Sequence, residues 1–295
     1  MTKTAWIFPG QGSQALGMGA DLLDIPEANL KFKQAEQILG WSVPEIAQSE
    51  EDKLSRTLYT QPCLYVVESL LVDLIRQKGY QPQWLAGHSL GEYVALYAAG
   101  VFDFETGLKL VKRRAELMDT AAGGQMAALI GFDRDQLLQQ LQQTEGVVLA
   151  NDNSSAQVVI SGTPVAVDTI IANVKTKRAV KLNVSGAFHS PMMAEAATEF
   201  EHILTTVDFK DAQVPVLSNV EPVPTTEAAQ LKQRLLSQMT GSVRWRETCL
   251  ALQEQGAEQV IEVGPGKVLT GLVKRTCSGI ALNNVSTSAE ISQLD

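Results

Sequence analysis

Trp84-Leu85-Ala86-Gly87-His88-Ser89-Leu90-Gly91-Glu92-Tyr93 is the stretch on which the fold turns. Residues 84–86 are an apolar run of the kind that ends a buried strand. Residues 93–99 are apolar, rich in alanine and free of proline, the composition of a buried helix. Between them, Gly-His-Ser-Leu-Gly matches G-x-S-x-G. Strand, sharp turn and helix together are the setting that gives this motif chemical meaning. Side chains two residues before and after the apex would collide with strand and helix, so both places favour glycine. The turn exposes the Ser89 hydroxyl at a helix N-terminus, where unpaired N–H groups and the helix dipole favour developing negative charge. Without chemical partners the same pattern would describe only a serine capping a helix.

Upstream, residues 5–8 read as a short buried strand that runs into the glycine-rich loop Pro9-Gly10-Gln11-Gly12-Ser13-Gln14. The loop lacks the third glycine and the Gly-Lys-Ser/Thr of phosphate cradles, but it places backbone amides at the carboxyl edge of a sheet. Residues 57–78 form a long helix with Leu64, Val67, Leu70, Leu71, Leu74 and Ile75 on one broad face. Residues 104–122 form an amphipathic helix that carries Arg113 and Arg114. Residues 27–56 alternate helix and turn signals, and no run approaches the roughly eighteen apolar residues of a membrane span.

From Gly123-Gly124 to Ser185-Gly186 the pattern changes. Strands at 126–132, 147–150, 157–161 and 178–184 alternate with helices at 133–143 and 164–175. The strand at 147–150 ends in Asn151-Asp152-Asn153. This is the βαββαβ order of split ferredoxin-like units. Beyond it, helices to about residue 206 and at 226–239, 244–256 and 267–276 alternate with strands at 214–218, 259–263 and 280–283. The expected fold is therefore α/β. A large α/β-hydrolase-like subdomain, residues 1–122 and 187–295, has a mostly parallel sheet, and a small ferredoxin-like subdomain, residues 123–186, is inserted into it.

The chain has 295 residues, 45% hydrophobic and 19% charged, with a net charge of −9. No basic block offsets that charge, which argues against nucleic acid as a partner. Cys63, Cys249 and Cys277 are widely spaced and free of any paired-cysteine motif, as suits a reducing cytoplasm. The N-terminus lacks the long apolar core of a secretory signal, so a cytoplasmic protein away from the membrane is expected.

A serine hydroxyl is a weak nucleophile near neutral pH and needs a base. Outside the turn only His189 and His202 are available. His202 lies between glutamates on an amphipathic helix and reads as a surface residue. His189 lies in a loop at the subdomain junction, just before a helix, where catalytic groups are commonly placed. Asp103, Asp119, Asp133, Asp135, Asp152 and Asp168 fall between Ser89 and His189 in the chain, none in a distinctive setting. A serine–histidine dyad whose imidazole is oriented by a backbone carbonyl stays open beside a full triad.

Five ordered stretches carry a resemblance: residues 8–14, Tyr59-Thr60-Gln61-Pro62, residues 87–93, Gly186-Ala187-Phe188-His189-Ser190-Pro191-Met192, and Glu262-Val263-Gly264-Pro265-Gly266-Lys267-Val268-Leu269. Together they resemble the malonyl-CoA:acyl-carrier-protein transacylases of type II fatty-acid synthesis and the related acyltransferase domains of polyketide synthases. The resemblance spans essentially the whole chain. It implies a ping-pong transfer without cofactor or metal, in which Ser89 takes the malonyl group from malonyl-CoA and passes it to holo acyl carrier protein, with His189 as base. It implies an oxyanion hole from the backbone N–H groups of Gln11 and Leu90, and a malonyl carboxylate bound by Arg114. Met118 lies one turn further along the Arg114 face and is expected to line the acyl pocket, Phe188 to narrow it, and Gln61, Asn151 and Asn153 to line the cleft.

Where family members often read Asn-Pro-Val-Gln/Arg-Trp, this chain has Gly241-Ser242-Val243-Arg244-Trp245, and Arg244 is expected to orient His189 through its main chain. Carrier proteins are acidic, so docking calls for a basic patch, either Lys175, Lys177, Arg178 and Lys181 or Lys274 and Arg275. A monomer is expected. The alternatives are a serine hydrolase or thioesterase acting on acyl-CoA or acyl carrier protein, and a trans-acting polyketide acyltransferase.

Overall fold

The computed structural model describes residues 2–49 and 51–294. Strand β1 (Thr4–Phe8) is buried along its whole length, as an apolar strand covered on both faces must be. It leads, past the 3₁₀ turn Ala20–Leu22, into α1 (Pro26–Leu39), α2 (Val43–Gln48) and α3 (Thr57–Gln77). Then come β2 (Trp84–Gly87), α4 (Gly91–Ala98) and α5 (Phe104–Thr120). After the second sheet follow α8 (Ala194–Leu204), β7 (Val216–Leu217), α9 (Ala228–Gln238), α10 (Trp245–Glu254), β8 (Gln259–Val263), α11 (Val268–Thr276), β9 (Ala281–Val285) and α12 (Ser288–Ile291). The first sheet has the order β7-β2-β1-β8-β9, and every pairing in it is parallel. β1 is its centre. Phe8 pairs with Gly87, so the loops after β1 and β2 leave the carboxyl edge side by side.

The second sheet is built from β3 (Gln125–Phe132), β4 (Val147–Ser154), β5 (Gln157–Gly162) and β6 (Thr176–Lys181), with α6 (Arg134–Gln143) and α7 (Pro164–Asn173) between them. It is antiparallel throughout, in the order β4-β5-β3-β6, as expected for a ferredoxin-like unit. Its strands sort their residues with period two. Ala127, Leu129, Val158 and Ile160 pack with Leu137, Val167 and Ile170 of the two helices, while Met126, Ala128 and Val159 join the core of the main body.

Three expectations need correction. The strand over 147–150 continues to Ser154, so Asn151, Asp152 and Asn153 belong to β4. Two register shifts let the strand bend, and Val243 pairs alongside Asn151. β6 begins at Thr176 and ends at Lys181, short of 184, because β3 offers its last ladder partner at Ala127. Helix α3 is also long and apolar enough to cross a membrane by length and composition, although 78% of its most apolar window is buried inside this fold. It is the central core helix, lying against α5 and α4.

Candidate active site

Ser89 and His189 are the only non-glycine residues with positive φ among the described residues, at 53° and 56°. Left-handed backbone at a residue with a side chain costs about 1–3 kcal/mol and persists only where the surroundings enforce it. Around Ser89 the enforcement is steric. A Cβ on Gly87 would overlap the Gly91 backbone, and one on Gly91 would overlap the backbone of Phe8. The expected reason for both glycines therefore holds, with the central strand as the second wall.

Ser89 Oγ lies 2.7 Å from His189 Nε2. His189 Nδ1 donates to the Gln238 carbonyl at 2.9 Å, and among the described residues no Asp is hydrogen-bonded to it. A carbonyl only accepts, so the proton sits on Nδ1 and Nε2 is left bare to take the Ser89 proton. Burial first, and the Arg114 cation second, depress the His189 pKa to about 3. The orienting group is thus Gln238 and not Arg244. The Arg244 carbonyl is used within α10, where it accepts from Thr248 N.

Arg114 is fully buried on α5. Nη1 donates to Gln61 Oε1 at 2.7 Å, and Nη2 donates to Ser89 Oγ at 3.0 Å and to Gln238 Oε1 at 3.1 Å. Its guanidinium also stands 5.4 Å from the Tyr93 ring centre. All the oxygens it meets are neutral. Arg113, one residue before, points away to Glu116 and Glu199, as the 100° step of a helix requires.

Gln11, Gln61, His88, Leu90, Met118, Asn151, Phe188 and His189 are among the residues around the cleft beside Ser89. Gln61 Nε2 donates to Met118 Sδ at 3.3 Å, which ties two of the expected lining residues together. Asn153 does not line the cleft. It accepts from His88 Nε2 at 2.8 Å and so acts from behind that ring, with Asn151 Nδ2 3.4 Å from the same nitrogen. His202 is exposed on α8, as its setting suggested.

The backbone N–H groups of Gln11 and Leu90 have no acceptor among the described residues, while their neighbours are engaged. Ser89 N donates to Asn219 Oδ1 at 2.7 Å and Gly91 N to the His88 carbonyl at 3.0 Å. Gly10 has no room for a side chain against the His88 carbonyl, which brings the first loop onto the turn. Three residues escaped sequence reasoning: Gln238, Asn219 and Glu92. Glu92 lies inside the G-x-S-x-G neighbourhood, and an acidic residue in an otherwise apolar helix was the available signal.

Comparison with known proteins gives the family. The acyl transferase domain family matches residues 5–293. A Synechocystis protein named malonyl CoA-acyl carrier protein transacylase is 60% identical over 99% of this chain and 100% of its own length. The crystal structure of the Synechocystis sp. PCC 6803 malonyl-CoA:ACP transacylase superposes with a TM-score of 0.98 at 60% identity, covering 99% of this chain and 100% of that one. A Bacillus subtilis polyketide biosynthesis malonyl CoA-acyl carrier protein transacylase, PksC, is 42% identical over 92% of this chain and 96% of its own.

Proposed function

Since the chain belongs to the acyl transferase domain family, we propose that it moves a malonyl group from malonyl-CoA to the phosphopantetheine thiol of acyl carrier protein through an ester on Ser89. One observation carries the choice of acyl group. Arg114 is a completely buried cation beside the nucleophile with only neutral oxygens as partners. A buried charge without a counter-charge in contact is costly, and a malonyl carboxylate supplies that counter-charge in a two-pronged pair. An acetyl group leaves it unpaired.

In the first half-reaction Ser89 Oγ attacks the thioester carbonyl and its proton passes to His189 Nε2. The oxyanion is held by the N–H groups of Gln11 and Leu90, which are worth about 3 kcal/mol each when aimed at the developing charge. Collapse breaks the C–S bond, and CoA leaves as a thiol with the proton from His189. In the second half-reaction His189 takes the proton of the carrier thiol. The thiolate attacks the ester, and Ser89 recovers its proton as leaving group. Phe188 and Met118 narrow the pocket against a methyl branch, a discrimination of about 1–3 kcal/mol.

The small subdomain is taken as residues 123–186, because the two connecting segments run side by side: Gly124 packs on Ala187 and Gly186 on Ala121. A monomer is the unit proposed, which light scattering checks. The decisive experiment is mass spectrometry of the protein after malonyl-CoA alone and after subsequent addition of holo carrier protein. A malonyl adduct on Ser89 that disappears onto the carrier supports the reading. Release of free malonate at the same rate with and without carrier protein overturns it in favour of a hydrolase.

A further inference from the structure

Glu92 lies on α4 beneath the Ser89 turn and is 1% exposed. Oε2 accepts from Gln238 Nε2 at 2.7 Å and from Asn219 N at 3.1 Å, while Oε1 has no partner. The Gln238 amide faces two ways. Its Oε1 accepts from Arg114 at 3.1 Å, and its Nε2 donates to Glu92. Burial raises the Glu92 pKa, while its hydrogen bonds and the Arg114 cation oppose that rise, and the acid and the cation are joined through one side-chain amide. A direct contact would place a carboxylate on the guanidinium and compete with any other. Complete removal of Glu92 would leave the cation buried with no compensation at all.

We propose that Glu92 is a specificity-determining positioning residue, a counter-charge held one amide away from Arg114. It compensates the guanidinium for burial and leaves the edge toward Ser89, which meets only the neutral Ser89 hydroxyl, without a carboxylate of its own, so that the carboxylate of the acyl group can take it. The same carboxylate fixes the site in space. Through Gln238 it holds the amide whose backbone carbonyl orients His189, and through Asn219 it holds the residue that engages Ser89 N and the Gly87 carbonyl. A carboxylate there weakens the attraction of the cation for a substrate anion without touching it, because Coulomb interaction inside a protein reaches beyond direct contact. This inference rests on Arg114 as reader of the malonyl carboxylate.

The test uses the full-length enzyme and separate KM and kcat values for malonyl-CoA and acetyl-CoA at pH 8. Glu92→Gln keeps an oxygen for the Gln238 and Asn219 donors and turns an amide toward Ser218 Oγ, itself without a partner. With the counter-charge gone, the malonyl-CoA KM is expected to fall on the order of fivefold. kcat falls with it as the acyl carboxylate is held too firmly, and the acetyl-CoA KM does not follow. Gln238→Glu brings a carboxylate directly onto Arg114, and the malonyl-CoA KM is expected to rise. Opposite movements in the two variants are the signature. Equal shifts for both substrates, a raised malonyl-CoA KM in Glu92→Gln, or failure of this isosteric variant to fold would overturn the proposal. Arg114→Ala is the parallel control: if it leaves the malonyl-to-acetyl ratio unchanged, the carboxylate reading fails first.

Discussion

At the scale of single residues the proposed transfer turns on the bare imidazole nitrogen of His189. His189 is an unusual base because burial and then the neighbouring Arg114 hold its pKa near 3, far below the ordinary value for imidazole. The sign follows directly. The group is neutral above that pKa, so its capacity to accept a proton is complete across the neutral and mildly acidic range and is lost only in strong acid. Acylation by malonyl-CoA is therefore expected to stay level from about pH 8 to about pH 5, without the halving near 6.5 that a free imidazole would give. Pre-steady-state release of CoA measures this. In Arg114→Ala the second-largest of the three depressing causes is gone, leaving burial and the nearby His88, and the acid limb is expected to move up. The same variant is expected to lose about 10²- to 10³-fold in kcat/KM for malonyl-CoA and far less for acetyl-CoA, since a bidentate charged pair forms only with the former. His189→Ala is expected to abolish the Ser89 adduct at neutral pH, and an adduct that still forms at the normal rate would remove His189 from the mechanism.

At the scale of elements, α3 carries an unpartnered carboxyl group inside the core. Glu68 is fully buried, neither carboxyl oxygen has a partner, and Gly264 packs directly against it. Burial, and then the nearby Glu262, raise its pKa well above the usual carboxylate range. Glu262 has the opposite surroundings and accepts four hydrogen bonds, from Leu269 N, Thr270 N, Thr270 Oγ1 and Asn284 Nδ2. A raised folded-state pKa favours the protonated form, so Glu68 costs nothing by ionisation at low pH and destabilises increasingly as pH rises above the unfolded value of 4.5. Glu68→Met keeps the volume and removes an unsatisfied polar group. It is expected to stabilise the protein by about 1–3 kcal/mol, with the larger gain at pH 8 than at pH 5, as read by urea unfolding. A gain independent of pH would show that Glu68 is not titrating in the fold.

The same scale shows what could be read from the chain and what could not. Periodicity and composition locate β1, α3, the Ser89 turn and the βαββαβ order, because each depends on neighbours close in sequence. The scarcity of histidine picks out His189. The orienting carbonyl of Gln238 escapes because any residue has a carbonyl, and only its meeting with His189, 49 positions away, makes it special. Asn219 and Glu92 escape for the same reason, since they meet across 127 positions. The bend of β4 that takes Asn153 behind His88 depends on bulges with no local signal.

For the whole molecule the question is how an acidic chain meets an acidic carrier protein. A net charge of −9 repels such a partner at long range, so association needs a local patch of the other sign. β6 supplies one. It is an edge strand of the second sheet, with Lys177 and Arg178 exposed on it and Lys175 exposed just before it. Lys181 is engaged by Asp168 at 2.6 Å and is spent locally. The chain that leaves β6 passes straight into Leu182 and Val184, which line the cleft, so the strand leads from these basic residues toward the site that a phosphopantetheine arm would enter. Lys274 and Arg275, the other basic pair, sit in the last turn of α11, and neither lines the cleft. Reversing both Lys177 and Arg178 to glutamate is expected to raise the KM for carrier protein about tenfold at low ionic strength. The deficit should shrink as salt screens the added repulsion over a Debye length of about 8 Å in physiological salt. The first half-reaction, followed separately with malonyl-CoA, distinguishes the two anions this strand could serve. A rise confined to the carrier step assigns the edge to protein docking, and an equal rise in the malonyl-CoA KM assigns it to the phosphates of CoA. No change in either leaves α11 as the next surface to reverse.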